Sequence, residues 1–315
     1  MAVRLAFPAL LLGSAILALA PMLVRLAPVG PLQSAFWRLA IAVLPLLLLA
    51  RLMSNPGSNA GSGAGSGAGE SGTSGAPATA ALTRAMLGGM AVAGLFFAAD
   101  LIVWHLGIVR TTIANASLFG NMASFMMMAY GIVVLSLKPT RRQAAAMALA
   151  VTGALCLFGA SAELSLRHLT GDLMCLMAAV FYTGYLISIG KARAALSAPA
   201  VLAGSSLAGT LVILPVVMLS PEPLAPATLE GWVPLLVLGL GGQVIGQGLI
   251  VFALAHLSPS VSGIGLLSQP VLAALIGWLA FGEIMGPLEM VGAALILVAL
   301  LSQSLPARPA RQPAE

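Results

Sequence analysis

Long apolar segments alternate with short polar segments along almost the whole chain. Ten apolar segments are each about 20 residues long, the length of an α-helix that crosses a ~30 Å hydrocarbon core. They cover residues 6–26, 30–52, 85–108, 111–136, 143–161, 172–191, 198–220, 231–255, 259–282 and 286–305. Strictly alternating segments of strand length, which a membrane β-barrel needs, are absent from the sequence. Because lipid cannot satisfy backbone hydrogen bonds, the pattern predicts an all-α membrane protein with ten transmembrane helices.

The composition agrees with lipid as the solvent for much of the chain. Hydrophobic residues make up 60% of the 315 residues and charged residues 7%, whereas a soluble domain carries roughly 25% charged residues. The net charge of +5 comes from cations at the ends of apolar segments, and no basic patch with interleaved aromatics is present, so nucleic-acid binding is not expected. Cys156 and Cys175 lie inside apolar segments and indicate neither a disulfide nor a metal site. No cofactor is predicted.

Lys and Arg residues near the segment ends predict the orientation. If the N terminus is cytoplasmic, ten of these cations fall on the inner side and three on the outer side, which favours both termini inside the cell. The Gly/Ser/Ala-rich segment 54–79 then forms a flexible cytoplasmic loop, and it lacks the GxxxxGK[ST] spacing of a nucleotide site. Ala18-Leu19-Ala20 imitates a signal-peptide cleavage site, but the apolar segment continues past it, so we expect an uncleaved first span in the inner membrane.

An internal repeat divides the chain into two halves. A shift of 148 residues aligns the segment that begins at Gly94 with the segment that begins at Gly242 over about 30 residues, and places Asn121 on Gln269. Residues 1–161 and 172–305 would each contain five spans, followed by a cytoplasmic tail at 306–315. Because five is an odd number, the second copy would lie inverted in the membrane.

The segment GIGLLSQPVLAALIGWLAFGEIMGPLEMVGAALILVALL, together with AFWRL in the second span, resembles the EamA domain of the drug/metabolite transporter superfamily. The resemblance implies a ten-helix secondary transporter, commonly an exporter of amino acids, metabolites or drugs. Pro270 and Glu283 match the markers of the family, which concern helix geometry more than substrate chemistry. The first half departs from the pattern, because Met122 stands in the place of Pro270.

Two charged residues lie deep inside apolar segments, where each costs about 2.5–3.5 kcal/mol on insertion scales. Arg38 and Asp100 both lie about eight residues, or roughly 12 Å, below the outer membrane edge. They can form a permanent ion pair between neighbouring helices. Alternatively Asp100 takes up a proton or meets a substrate amine while Arg38 meets a carboxylate. The equivalent positions in the second half, Gly248 and one near Ser206, are uncharged.

Other polar side chains extend this candidate site. Trp104 shares the helix face of Asp100, whereas His105 is rotated away by about 140° and is expected near the outer headgroups. A central cavity at the midplane is predicted from the amides and tyrosines Asn121, Tyr182, Tyr185, Gln243, Gln247 and Gln269. The alternative role of the amides is hydrogen bonding between helices.

The sequence therefore predicts an inner-membrane secondary transporter that exports a small metabolite, such as an amino acid, by alternating access. Proton coupling through Asp100 and uncoupled movement are both compatible with it. An intramembrane enzyme is disfavoured, because the sequence has no HExxH or GxSG motif and only one intramembrane Asp, where an aspartyl protease needs two. A non-transporting scaffold or sensor is the third reading. No signal for an oligomeric state is present.

Overall fold

The computed structural model describes residues 2–53, 76–159, 166–281 and 286–304. These residues form fourteen α-helices and two π-helices, and the described part contains no strand. The α-helices are α1 (Ala2–Leu17), α2 (Ala20–Leu26), α3 (Pro31–Met53), α4 (Ala76–Ile108), α5 (Ile113–Gly120), α6 (Met122–Ala129), α7 (Arg141–Gly159), α8 (Leu169–Ala192), α9 (Ala198–Met218), α10 (Trp232–Leu236), α11 (Gln247–Leu254), α12 (Pro259–Leu266), α13 (Ser268–Phe281) and α14 (Pro287–Ser304). The π-helices cover Tyr130–Val134 and Val237–Gly246.

Eight stretches of the described residues are long and apolar enough to cross a membrane. They are Arg4–Leu26, Pro31–Met53, Met86–Ile108, Asn115–Val134, Leu169–Ala192, Ala198–Met218, Trp232–Leu254 and Pro287–Ser304. Helices also occupy the predicted fifth and ninth spans, as α7 and the pair α12–α13, but neither belongs to this set. The all-helical membrane class is thus confirmed, and ten crossings remain a prediction.

Two predicted boundaries need comment. The loop predicted over 54–79 is too long at its end, because α4 begins at Ala76 and continues the apolar segment backwards by several turns. Residues 54–75 of that loop, the end of the fifth predicted span at 160–161, Glu283 and the tail at 306–315 lie outside the described residues.

Three of the predicted spans are broken near their middle, and proline explains two of the breaks. Pro21 cannot donate a hydrogen bond to the carbonyl of Leu17, where α1 ends, and Pro270 cannot donate to Leu266, where α12 ends. Asn121 lies at the break in the fourth span, which has no proline there: its Nδ2 and its backbone N–H both donate to the Ser117 carbonyl, at 2.7 and 3.0 Å, so the side chain shares an acceptor of the helical ladder. Met122 in place of Pro270 therefore does not restore a continuous helix.

The described helices pack around a main apolar cluster and three smaller ones, with several close backbone contacts. Helix α4 packs along α8 and α9, α3 packs along α9, α1 packs along α11, α6 packs along α12, and α7 packs along α14. The main cluster includes the fully buried Leu39, Tyr185 and Ile213. A Cβ atom on Gly153 would lie 2.7 Å from the carbonyl oxygen of Gly292, so α7 and α14 touch backbone to backbone, as small residues allow in membranes.

The segment between α9 and α10 folds back over the beginning of α3. Gln33 Nε2 donates to Ser220 Oγ at 3.1 Å and to the Glu222 carbonyl at 3.3 Å. Trp37 Nε1 donates to the Leu224 carbonyl at 2.7 Å, and its ring contacts the Trp232 ring at 4.7 Å between centroids. The segment thus covers the N-terminal end of α3, about two helical turns before Arg38.

Candidate functional site

A cavity of ≈ 140 Å³ lies where the broken helices meet the middle of α3, α4 and α8. Its wall includes residues on both sides of the α1–α2 break. It also includes Gly120 and Asn121 at the break before α6, and Gln269 and Pro270 at the start of α13. Six of the nine side chains predicted for the site line it, namely Arg38, Asp100, Trp104, Asn121, Tyr182 and Gln269. Side chains from both halves of the chain therefore face one space.

Arg38 and Asp100 are both buried, with exposed fractions of 6% and 9%. They interact electrostatically, but among the described residues no hydrogen bond and no ion pair within 4.0 Å joins them. Instead, the guanidinium of Arg38 lies 5.7 Å from the centre of the Phe97 ring, within cation–π range. The direct pair that matched depth suggested is not formed, because the cavity lies between the two helices at this level.

The neighbours of Asp100 on α4 follow the helical angles. Trp104 lines the cavity with Asp100, whereas His105 is not among the residues that line it. His105 is fully buried, so its expected place near the headgroups was wrong. Its Nδ1 lies 2.7 Å from the carbonyl oxygen of Leu101 and donates to it, whereas its Nε2 is buried without a hydrogen-bond partner.

An aromatic stack forms one wall of the cavity. Tyr182 faces the cavity, and Tyr185 lies behind it with a centroid distance of 5.9 Å. Phe97 stacks on Tyr185 at 4.2 Å with an interplanar angle of 13°. Phe97 was missed from sequence, since one more apolar residue in an apolar segment gives no signal; its position three residues before Asp100 is the only available clue.

Three predicted residues stand behind the wall and do not line the cavity: Tyr185, Gln243 and Gln247. Gln243 Nε2 donates to Ser206 Oγ at 3.2 Å, so it joins two helices, which is the alternative role stated for the amides. Gln247 Oε1 accepts a hydrogen bond from the Tyr182 hydroxyl at 3.4 Å and supports the wall from behind. Both amides are fully buried.

Residues 169–304 match the EamA-like transporter family. These residues form an EamA-like domain. The resemblance seen in the sequence is thereby confirmed, and the domain belongs to the drug/metabolite transporter superfamily. The match and the similarity to an exporter point to a membrane transporter.

Curated relatives extend the similarity into the first half of the chain. The pseudopaline exporter CntI of Pseudomonas aeruginosa is 26% identical over 226 residues, in both strain UCBPP-PA14 and strain PAO1. These residues cover 71% of this chain and 77% of the exporter, which is more than the EamA match contains. A solved crystal structure has the same fold, with a TM-score of 0.72, 16% identity and 96% coverage of each chain.

Metal chemistry finds no support at this site. Within the described ranges no group of three or more His, Cys, Asp or Glu side chains is close enough to hold a metal ion. Besides Arg38 and Asp100, the polar groups of the cavity are neutral amides, an indole and phenol and hydroxyl groups. Such a set suits the binding of a small organic molecule with separate charged groups.

Proposed function

We propose that the protein is a secondary transporter that exports a small zwitterionic metabolite, such as an apolar amino acid, across the inner membrane. The observation that carries the proposal is the placement of Arg38 and Asp100, which face one buried cavity without bonding to each other. A ligand with an ammonium and a carboxylate group supplies the missing partner of each. Asp100 then binds the ammonium group, and Arg38 binds the carboxylate.

The free-energy cost of burying charges favours ligand binding by Arg38 and Asp100 over a permanent ion pair between them. A buried charge without a bonded partner is costly, and a fold that needs charges only for stability brings them into contact. Here the Nε of Arg38 is buried without a hydrogen-bond partner. The ligand would supply charge-assisted hydrogen bonds to both groups, which are stronger than neutral ones. The free energy lost by keeping the charges apart is recovered on binding.

The remaining wall suits the apolar part of an amino acid. Trp104, Phe97 and Tyr182 give aromatic surface, and Asn121 and Gln269 give amides at the helix breaks. The volume of ≈ 140 Å³ is below the roughly 300–1,000 Å³ of usual ligand pockets. Binding of a complete amino acid therefore requires the cavity to widen, as expected for a transporter that changes conformation.

Packing between the halves supports two inverted five-helix repeats and alternating access. The contact of α4 with α8 joins the third span to the sixth, and the contact of α1 with α11 joins the first span to the eighth. If each span of the first half is exchanged with the span five places later, the contact between the third and sixth spans becomes the contact between the eighth and first spans. The contacts α3–α9, α6–α12 and α7–α14 map onto themselves under the same exchange. Rocking of one repeat against the other would open the shared cavity to either side.

The direction and coupling of transport are part of the proposal. Export is supported by the similarity to a protein named as a pseudopaline exporter. The cation count along the sequence favours both termini in the cytoplasm. Asp100 is the group available for proton coupling, because its carboxylate faces the cavity and the described contacts give it no hydrogen-bond donor.

Transport by purified protein tests the proposal. Proteoliposomes containing the protein are loaded with unlabelled phenylalanine, methionine or threonine, and exchange with the external radiolabelled amino acid is followed with and without a pH gradient. We expect exchange of at least one apolar amino acid, which Arg38→Gln abolishes. Lack of exchange above empty liposomes for all three, and for pseudopaline, would contradict the proposal.

A further inference from the structure

A second cavity lies toward the other end of α8, the helix that contributes to both cavities. Its volume is ≈ 320 Å³, which lies within the range of ligand pockets. Leu186, Gly190 and Lys191 from the last turns of α8 line it, as do Leu254 at the end of α11 and Pro259 at the start of α12. This cavity is therefore on the membrane side to which Lys191 belongs.

The two cavities lie on opposite sides of one layer of side chains. Tyr182 lines the first cavity and Leu186 the second, and these residues are one helical turn, or about 6 Å, apart along α8. Met127 lines the second cavity and belongs to the same apolar cluster as Phe97 and Tyr185. A rearrangement of this layer is enough to join the two spaces.

The walls of the second cavity combine apolar surface with a few polar groups. Lys191 is exposed at its edge, Tyr130 contributes a half-buried phenol, and the other side chains are mainly aliphatic. Tyr130 also begins a π-helix, a wide turn that is frequent at functional sites. The next cation, Arg193, donates to the Leu196 carbonyl, and burial lowers its pKa.

Electrostatics on this side favour an organic anion. The acidic residues of the described ranges lie inside the membrane or toward the other side: Asp100, Asp172, Glu222, Glu230 and Glu289. None of them lines the second cavity. A carboxylate that approaches Lys191 therefore meets a positive field without a competing described carboxylate at the cavity wall.

We propose that the second cavity is a vestibule that binds the carboxylate end of the substrate at Lys191 and its apolar part along α8 and α11. From there the substrate moves past the Tyr182–Tyr185 layer to Arg38 and Asp100. This inference rests on the proposed transport of amino acids, because it places a first binding site on the cytoplasmic side of that route.

Filling the vestibule tests its role in binding. A Cβ atom at Gly190 meets no other atom within 4 Å, so leucine at this position extends into free space without a backbone clash. Gly88 on α4 is equally open and does not line the vestibule, which makes Gly88→Leu the matched control. We expect Gly190→Leu to raise the cytoplasmic phenylalanine concentration for half-maximal transport at least about fivefold, as steric exclusion from a pocket does. Equal values for both variants would overturn the proposal.

Removing the charge tests the carboxylate contact separately. In vesicles with the Lys191 side outward, we expect Lys191→Gln to raise the half-saturating phenylalanine concentration about fivefold, in the range of an exposed charged contact, while Lys191→Arg and Lys138→Gln stay near the wild type. Phenylalanine methyl ester, which lacks the carboxylate, should not distinguish these proteins. A Lys191→Gln variant that behaves like Lys138→Gln overturns the vestibule even where Gly190→Leu fails to insert. If the wild type exchanges methionine or threonine but not phenylalanine, that amino acid and its methyl ester take the place of phenylalanine in both tests. Lack of exchange of all three amino acids and of pseudopaline by the wild type contradicts the proposed function instead.

Discussion

Two buried aspartates on neighbouring helices have opposite surroundings. Asp172 on α8 is 5% exposed and accepts hydrogen bonds from Asn115 Nδ2 at 3.0 and 3.1 Å and from Thr111 Oγ1 at 2.5 Å. Asp100 on α4 is 9% exposed, faces a cavity and has no hydrogen-bond donor among the described residues. Burial alone therefore does not distinguish the two residues, but their partners do.

The difference separates a carboxylate that holds the fold from one that is available to a ligand. Asp172 ties the connection between α4 and α5 to α8, and its donors replace the water that burial removes. Asp100 keeps its oxygens toward an open space and interacts with Arg38 only across it. An unsatisfied charge in this position costs free energy in the empty protein and is explained when a ligand or proton supplies its partner.

The largest expected effect is the loss of transport in Asp100→Asn. The variant keeps the size of the side chain and removes the charge that binds the substrate ammonium. We expect transport of phenylalanine to fall roughly 100-fold, as when one partner of a buried charge pair is removed. The melting temperature of the purified protein should change little, since the loss of a buried unsatisfied charge is offset by the loss of its attraction to Arg38. A large drop in melting temperature with normal transport would contradict this role and show that Asp100, like Asp172, serves the stability of the fold.

The next effect concerns stability and uses Asp172→Asn. Its new amide places an NH₂ group or a neutral oxygen where Asn115 and Thr111 donate, so at least one buried donor loses its partner. We expect the free energy of unfolding to fall by about 2 kcal/mol, the cost of a lost hydrogen bond to a charged group. Transport per folded molecule should remain within about threefold of the wild type. A transport defect as severe as that of Asp100→Asn at normal stability would give Asp172 a direct role.

The smallest effect is expected at the neutral hydrogen-bonded pair of Gln243 and Ser206. Gln243→Leu removes the donor to Ser206 Oγ and leaves a buried hydroxyl without that partner. Hydrogen bonds between membrane helices contribute about 0.6–2 kcal/mol, so a loss of about 1 kcal/mol is expected, with transport nearly unchanged. Thermal unfolding compared with Gln303→Leu, at a half-buried amide near the end of α14, measures it. A transport loss beyond tenfold would show that the neutral pair also serves the substrate path.

Much of the fold follows from the hydrophobic pattern, because lipid forces apolar segments of this length into helices. Helix α4 still begins earlier than predicted, since alanines continue the helix into the Gly/Ser/Ala-rich segment. Pro21 and Pro270 could have predicted two helix breaks from their missing N–H groups. The break at Asn121 has no proline to mark it, and an asparagine in an apolar segment does not reveal that its side chain will share the Ser117 carbonyl with its own backbone N–H.

The candidate site was predictable where helical geometry alone decides. Asp100 and Trp104 share a face because they are four residues apart, and Arg38 faces them because both charges lie at the same depth. Tyr185 and Gln247 were expected to line the cavity, but they lie behind Tyr182. The sequence of one helix does not show which of its polar side chains will be covered by a neighbouring helix. The separation of Arg38 from Asp100 required the tertiary structure.

Recognition of charge by Arg38 and Asp100 is tested most directly by binding of three related ligands. Phenylalanine, its methyl ester and phenylpropionate are compared on the wild type, Arg38→Gln and Asp100→Asn by competition with radiolabelled phenylalanine. The wild type should prefer phenylalanine to both analogues. Arg38→Gln should lose only the discrimination against the methyl ester, and Asp100→Asn only the discrimination against phenylpropionate. Unchanged discrimination in both variants would contradict a zwitterion site between Arg38 and Asp100.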